Sequence, residues 1–206
     1  MTTNENLMDE WNTLPWKEIE RNVFKLQQRI YRATKRGDAR TVHKLQRLLI
    51  NSRAAKLLAV RRVTQDNQGK RTAGVDGVKS LTPPQRLALS QRLKLTNKAQ
   101  PVRRVWIPKP AQPNERRALG IPVMKDRALQ RLVQSALEPE WGARFEPNSY
   151  GFRPGRSCHD AIEAIFNTIC LKPKYVLEAD IENALTALRI RSCCKRSKPA
   201  HAFADN

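Results

Sequence analysis

Apolar side chains recur at helical spacing through the first third of the chain. Trp16, Ile19, Val23, Leu26 and Ile30 fall three and four residues apart, which makes one apolar face on a helix that Pro15 can start. Gly37-Asp38 interrupts the pattern as a C-terminal glycine followed by an N-cap. A second helix is predicted from about Ala39 to Arg62, with Val42, Leu45, Leu48 and Leu49 inward. Residues 14–62 therefore read as an antiparallel helical hairpin. Thr64–Ser80 is polar and glycine-bearing and reads as a surface loop, with Asp76-Gly77 as a turn signal. Pro83-Pro84 opens a further helix carrying Leu87, Leu89, Leu93 and Leu95.

The period changes after Pro101. Val102–Pro108 is β-branched and bounded by prolines, so it reads as a strand. Lys109–Arg117 reads as a polar loop and Leu119–Val123 as the return strand. Asp126–Glu138 is predicted helical, with Leu129, Leu132, Val133, Ala136 and Leu137 inward, and residues 139–145 connect onward. Ser157 is placed to cap a helix over Asp160–Cys170 whose Ala161, Ile162, Ile165 and Ile169 share a face. Tyr175–Ile181 reads as a short apolar strand containing a carboxylate, Asp180. Helices first, then a small sheet with helices, give an α+β fold class.

Charge turns this outline toward a polyanion. Lys and Arg number 39 against 19 Asp and Glu, a net charge of +20 in 206 residues. That balance points to nucleic acid rather than to a small metabolite. The helical hairpin holds fourteen Lys and Arg against Glu18, Glu20 and Asp38. Lys17, Arg21, Lys25 and Arg29 stand strictly four apart on the first helix, and Arg40, Lys44 and Arg47 face outward on the second. Like charges at this spacing repel by a few tenths of a kcal/mol per pair, roughly, and phosphates would offset that. A solvated basic face favoured by the helix dipole is the other account of the stripe. Only 6% of residues are aromatic, which disfavours broad stacking on single strands.

The four cysteines, Cys158, Cys170, Cys193 and Cys194, form no C-x-x-C pair and have three histidines to help them, so a zinc site is not expected. They read as reduced thiols. No run of about 18 apolar residues is present, so the expectation is a soluble, cytoplasmic protein with no membrane partner.

One stretch, Asn148–Ser157, concentrates unusual residues. Gly151 and Gly155 permit positive φ, and Pro154 stiffens the turn between them. Arg153 and Arg156 sit on the loop, with Tyr150 and Phe152 available to pack or stack. A basic loop before a helix N-terminus suits a phosphate; an ordinary turn with solvated arginines fits the same residues.

Four separated segments, in order, resemble group II intron-encoded reverse transcriptases (maturases). They are Thr72–Val78, Pro101–Pro110, Leu119–Pro122 running on to Asp126-Arg127, and Ser149–Ile162; Val176–Ile181 adds a fifth. The resemblance spans about residues 10–183. It implies a basic helical region that contacts group II intron RNA, then the fingers of a right-hand polymerase, then the first palm strand. Lys109 and Arg117 match fingers residues that hold the incoming triphosphate, and a point charge and a planar fork suit that task. Asp180 matches the first palm aspartate, catalytic and metal-ligating, with the Ile181 backbone carbonyl beside it; the family's metal is magnesium (Mg2+). The basic residues carried into RNA contact are Lys17, Arg21, Lys25, Arg29, Arg40, Lys44, Arg47, Arg103, Arg104, Arg153 and Arg156.

Departures bear on activity. Arg117-Ala118-Leu119-Gly120-Ile121-Pro122 lacks one of the family's prolines, and the longer loop leaves the register of Arg116 against Arg117 open. After Ile181 the family continues with a Cys-Phe-Asp type sequence and later Tyr-Ala-Asp-Asp; neither occurs here. One aspartate does not hold two divalent ions and a triphosphate, so this chain alone is expected to bind no Mg2+ stably and to polymerise nothing.

The tail invites a reading by codons. One permitted coding of Glu182–Lys195, given a single extra A after the Glu182 codon, reads Glu-Lys-Cys-Phe-Asp-Arg-Ile-Thr-His-Pro-Lys-Leu-Leu-Gln, the continuation the family expects. Asn183 onward is thus expected to be out of frame, although a short genuine tail has a similar composition. The expected organisation is a loose N-terminus (1–12), an RNA-binding N-terminal domain (13–98), fingers with the first palm strand (99–182) and the tail (183–206). The leading function is an N-terminal reverse transcriptase/maturase fragment. In full-length form its partners would include a DNA primer or target. A stand-alone intron-RNA-binding splicing helper is the alternative, and a separate complementing palm chain a third arrangement.

Overall fold

The computed structural model describes residues 10–96, 98–109 and 112–179. Asp180, Ile181 and the 183–206 tail lie outside them, as does the side chain of Lys109. The described chain is mixed: six α-helices over eight residues long and one two-stranded antiparallel sheet. It falls into two compact units, residues 1–140 and 141–206.

The first unit begins with α1 (Trp16–Lys35), α2 (Ala39–Asn51) and α3 (Arg53–Arg61). Gly37 takes φ +74° and the Asp38 carboxylate accepts from the Thr41 N–H at 3.0 Å, so the glycine stop and N-cap form as the sequence predicts. The expected single helix from Ala39 to Arg62 is instead two. Ser52 turns extended (φ −64°, ψ 131°), its N–H bonding Leu49 O and its C=O taking the Lys56 N–H. The break lets α2 and α3 each pack on α1. Ile19, Val23 and Ile30 of α1 and Val42, Leu45 and Leu49 of α2 are buried as predicted, but Leu48 is exposed. A widened turn (Arg62–Asp66) and a 3-10 turn (Gln68–Arg71) follow.

Trp11, which falls within the expected loose N-terminus (1–12), is 1% exposed. It meets Trp16 edge-on at 5.0 Å and donates its indole N–H to Gln65 Oε1 at 3.1 Å. With Ile19, Leu57, Val60, Leu87, Leu93 and Ala128 it forms one buried apolar cluster. Leu87 and Leu93 come from α4 (Pro83–Arg92) and its end, where Gln85 accepts from the Thr82 N–H at 2.9 Å.

β1 (Arg103–Lys109) pairs with β2 (Gln112–Ile121). The return strand thus starts well before Leu119, and the expected loop is mostly sheet. Extra residues are absorbed by a register shift between Pro108 and Lys109. α5 (Met124–Arg144) likewise continues past its predicted end at Glu138, through Pro139. A proline there removes the N–H that would bond the Ser135 carbonyl. Gln27 Nε2 takes that acceptor at 2.9 Å, and Gln46 Nε2 reaches Ala136 O at 3.3 Å and Glu140 Oε2 at 2.7 Å. The Gln27 amide of α1 therefore takes the place of the missing backbone donor, and Gln46 of α2 adds a second tie to the same turn.

In the second unit Ser157 caps α6 (Cys158–Ile169) as expected, in a capping box with Asp160. Ile162, Ile165 and Ile169 keep their helical spacing but are exposed. Residues 175–179 are not a strand, and Tyr175, Val176 and Leu177 are fully or nearly fully exposed. A strand needs neighbours to take its backbone groups, and the described residues of this unit contain none.

Candidate nucleic-acid interface

Burial of Ile19, Val23 and Ile30 turns the opposite side of α1 to solvent, and Lys17, Arg21, Lys25 and Arg29 are all exposed there. Arg40, Lys44 and Arg47 are exposed on α2. The structure brings part of the two sets together: Arg29 of α1 and Lys44 and Arg47 of α2 line one hollow over Leu45 and Leu48. Lys17 and Arg21 share a second hollow with Arg62 and Arg131, which the sequence reading did not single out. Among the described residues, none of Lys17, Arg21, Lys25, Arg29, Arg40 and Lys44 is in an ion pair; Glu20, the nearest acid in sequence to Arg21, is taken by Arg61 at 3.4 Å. Sequence reasoning also missed two exposed aromatics on the same side of α1, Phe24 and Tyr31. They continue the Lys17–Arg21 row at three- and four-residue steps, off the buried face, so the helical period alone could have found them.

The β hairpin sorts its arginines by register. Arg117 stands opposite Ile107 and Arg116 opposite Pro108, so they occupy opposite faces. Alternation puts Arg103 on the face of Arg117 and Arg104 on that of Arg116. All four are exposed. Lys109 ends β1.

Arg127, at the start of α5, ties two loops together. Its Nε donates to Pro122 O at 2.9 Å, Nη1 to Gly69 O at 2.8 Å and Nη2 to Thr72 O at 2.6 Å. Partial burial draws the guanidinium pKa below the usual arginine value; Asp76 opposes the pull and Arg103 adds to it. The loop read as purely surface is in fact core at Ala73 and Gly74, and the missing signal is the flat approach of Gly74 to the Pro122-Val123 backbone. Arg127→Met should cost about 2 kcal/mol, since three charged hydrogen bonds go but water reaches part of the site. Arg127→Lys should restore less than half, because an ammonium does not span three carbonyls. Urea midpoints check both.

The 145–157 loop differs from its sequence reading. Gly155 has φ +67°, but the other positive φ belongs to Phe152 (+55°), not Gly151. Arg153 is engaged inside the loop: Nη1 donates to Glu146 O (2.8 Å) and Ser149 O (2.9 Å), Nη2 to Gly142 O (3.3 Å), and it lies over Phe145 at 5.5 Å. Arg156 is exposed over Tyr150 at 5.6 Å. Hydrogen bonds from Ser157 hold the Asp160 carboxyl below the usual range.

Comparison with known proteins decides the family. Residues 11–93 match the N-terminal domain of reverse transcriptase, and residues 107–200 match reverse transcriptase (RNA-dependent DNA polymerase). Protein YkfC of Escherichia coli K12 is 36% identical over 163 residues, 74% of this chain and 42% of that protein. Maturase-like protein 1 of Euglena gracilis is 32% identical over 148 residues, 67% of this chain and 30% of its own. Group II intron-encoded protein LtrA of Lactococcus lactis subsp. cremoris is 46% identical over 66 residues, 32% of this chain and 11% of its own. The chain belongs to the group II intron reverse transcriptase/maturase family. It spans less than half the length of these curated relatives.

Family membership gives the Arg127 tie a meaning: it joins two reverse transcriptase segments, Thr72–Val78 and Leu119–Arg127, that are about fifty residues apart in sequence. Among the described residues no group of three or more His, Cys, Asp or Glu could hold a metal ion. They supply no ligand set that fits the family's magnesium. No helix among the described residues is long and apolar enough to cross a membrane.

Proposed function

We propose that this chain is the RNA-binding N-terminal region (13–98) and the fingers with the first palm strand (99–182) of a right-hand polymerase, and that it binds structured group II intron RNA through α1 and α2. The observation that carries the reading is the exposed row Lys17, Arg21, Lys25 and Arg29 with no ion pair among the described residues. The names of the relatives, intron-encoded protein and maturase-like protein, support intron RNA as the polyanion. Lys109 and Arg117 would meet the incoming nucleotide in an assembled polymerase, and Asp180 and the Ile181 carbonyl would hold Mg2+ there alongside further carboxylates. DNA primer or target strands would be partners of that assembled form only. The exposed Arg103, Arg104 and Arg156 would add to the RNA contact, whereas Arg153 acts by holding its loop. Residues 183–206 remain proposed as out of frame, which nucleotide sequence across the Asp180–Ala184 codons decides.

A salt titration tests the RNA reading. Binding to a folded group II intron transcript should fall with a log–log slope of about −3 to −6, as four to seven phosphate contacts each release roughly 0.7–0.9 of a counterion. A slope near zero would sink it. A stand-alone splicing helper is the second reading, favoured by the way Trp11 to Leu132 close a core within the first unit. Splicing stimulated by this chain alone supports the helper; primer extension appearing only with an added palm chain supports complementation.

A further inference from the structure

The hollow between α1, α3 and α5 is more than a basic surface. It is about 550 Å³, and its floor is apolar, with Val23, Leu58 and Ala59. Phe24 also lines it and is 57% exposed, an aromatic ring kept out of the core. Lys17, Arg21 and Arg131 stand on its rim, and none of the three is in an ion pair among the described residues. The rim's one acid, Glu20, is already paired with Arg61 at 3.4 Å. Gln27 spends its amide N–H on Ser135 O at 2.9 Å, which leaves its carbonyl oxygen as an acceptor among the lining groups.

A cationic rim around an aromatic ring is the arrangement that recognises an unpaired nucleotide. The base stacks, its phosphates meet the rim, and a hydrogen-bond acceptor reads its edge. A fully paired helix could use the rim but would leave the ring in water. We propose that this groove seats one unpaired RNA nucleotide, its base on Phe24 and its flanking phosphates against Lys17, Arg21 and Arg131, with the Gln27 carbonyl favouring a base that carries an amino group. The proposal rests on the reading that α1 and α2 form an RNA-binding surface, and it adds a structural selectivity for bulged or looped sites that charge alone does not give.

The test uses the full chain and two short RNA hairpins: one with a single bulged 2-aminopurine, and one with that position paired. Wild-type protein should bind the bulged hairpin more tightly and quench its fluorescence by stacking. Phe24→Ala should lose about tenfold in affinity for the bulged hairpin, the scale of one base–aromatic stack, with little change for the paired one. Phe24→Trp should retain both the preference and the quench. Phe24 is largely exposed, so circular dichroism should show an unchanged fold. Phe24→Ala binding both hairpins like wild type, or weakening both equally, would overturn the groove while leaving the basic surface standing. Binding of neither hairpin by the wild type would overturn both.

Discussion

Changing Lys17, Arg21, Lys25 and Arg29 together to glutamine should weaken RNA binding by about two to three orders of magnitude near physiological salt. Each phosphate contact releases roughly 0.7–0.9 of a counterion, so four lost contacts remove about three from the log–log salt slope. Extrapolated from molar salt, where the electrostatic gain vanishes, that is several kcal/mol. Stability should move the other way. Three like-charge pairs at four-residue spacing disappear, worth a few tenths of a kcal/mol each, and glutamine is about as good a helix former as lysine or arginine. All four side chains are exposed, so no core contact is lost. A more stable protein that binds RNA poorly is an outcome that a merely solvated basic face does not produce. An unchanged salt slope would assign the binding elsewhere. Anisotropy titrations at several salt concentrations, beside urea unfolding, separate the two.

What could be read from the chain followed local rules, and what could not depended on distant partners. The face of Ile19, Val23 and Ile30 obeys the helical period, and Gly37-Asp38 and Ser157 are stop and cap chemistry; all were legible. The basic row was legible for the same reason, since the period that buries one face exposes the other. The broken helix at Ser52 was not, because Ser52 is helix-compatible and only packing against α1 decides its ψ. Neither was the passage of α5 through Pro139. That needs Gln27, more than a hundred residues earlier, to fill the Ser135 carbonyl the proline leaves, with Gln46 bonding the next carbonyl along. Arg127 stood inside a recognised segment, yet two of its three acceptors, Gly69 O and Thr72 O, lie on another stretch. The helical pattern after Cys158 was read correctly, but the strand expected from Tyr175 was not, because an amphipathic face or an apolar run specifies burial only when something covers it. The hollow that joins Arg62 and Arg131 to Lys17 and Arg21 required the packing of three helices to be known.

Gly74→Ala should lower the unfolding free energy by about 2–3 kcal/mol, the scale of forced overpacking. A Cβ at position 74 would stand 2.8 Å from Val123 Cα, 2.9 Å from Val123 N and 3.0 Å from Pro122 O. These are backbone atoms, which do not swing aside as a side-chain end would. Moving them also disturbs what they support: Pro122 O accepts from Arg127 Nε at 2.9 Å, and Val123 O takes the Arg127 N–H at 3.1 Å in the first turn of α5. One methyl group therefore strains the junction where two reverse transcriptase segments meet. Gly142→Ala is the matched control, because it lies within α5 and its Cβ would meet nothing within 4 Å. It should be neutral or stabilising by up to about 1 kcal/mol through helix propensity. Urea unfolding of the two variants reads the contrast, and equal behaviour would show that the Thr72–Val78 loop is not held against Pro122-Val123 in solution. The basic surface on α1 contains none of these atoms. RNA affinity of folded Gly74→Ala should thus match wild type, which separates loss of the junction from loss of the interface.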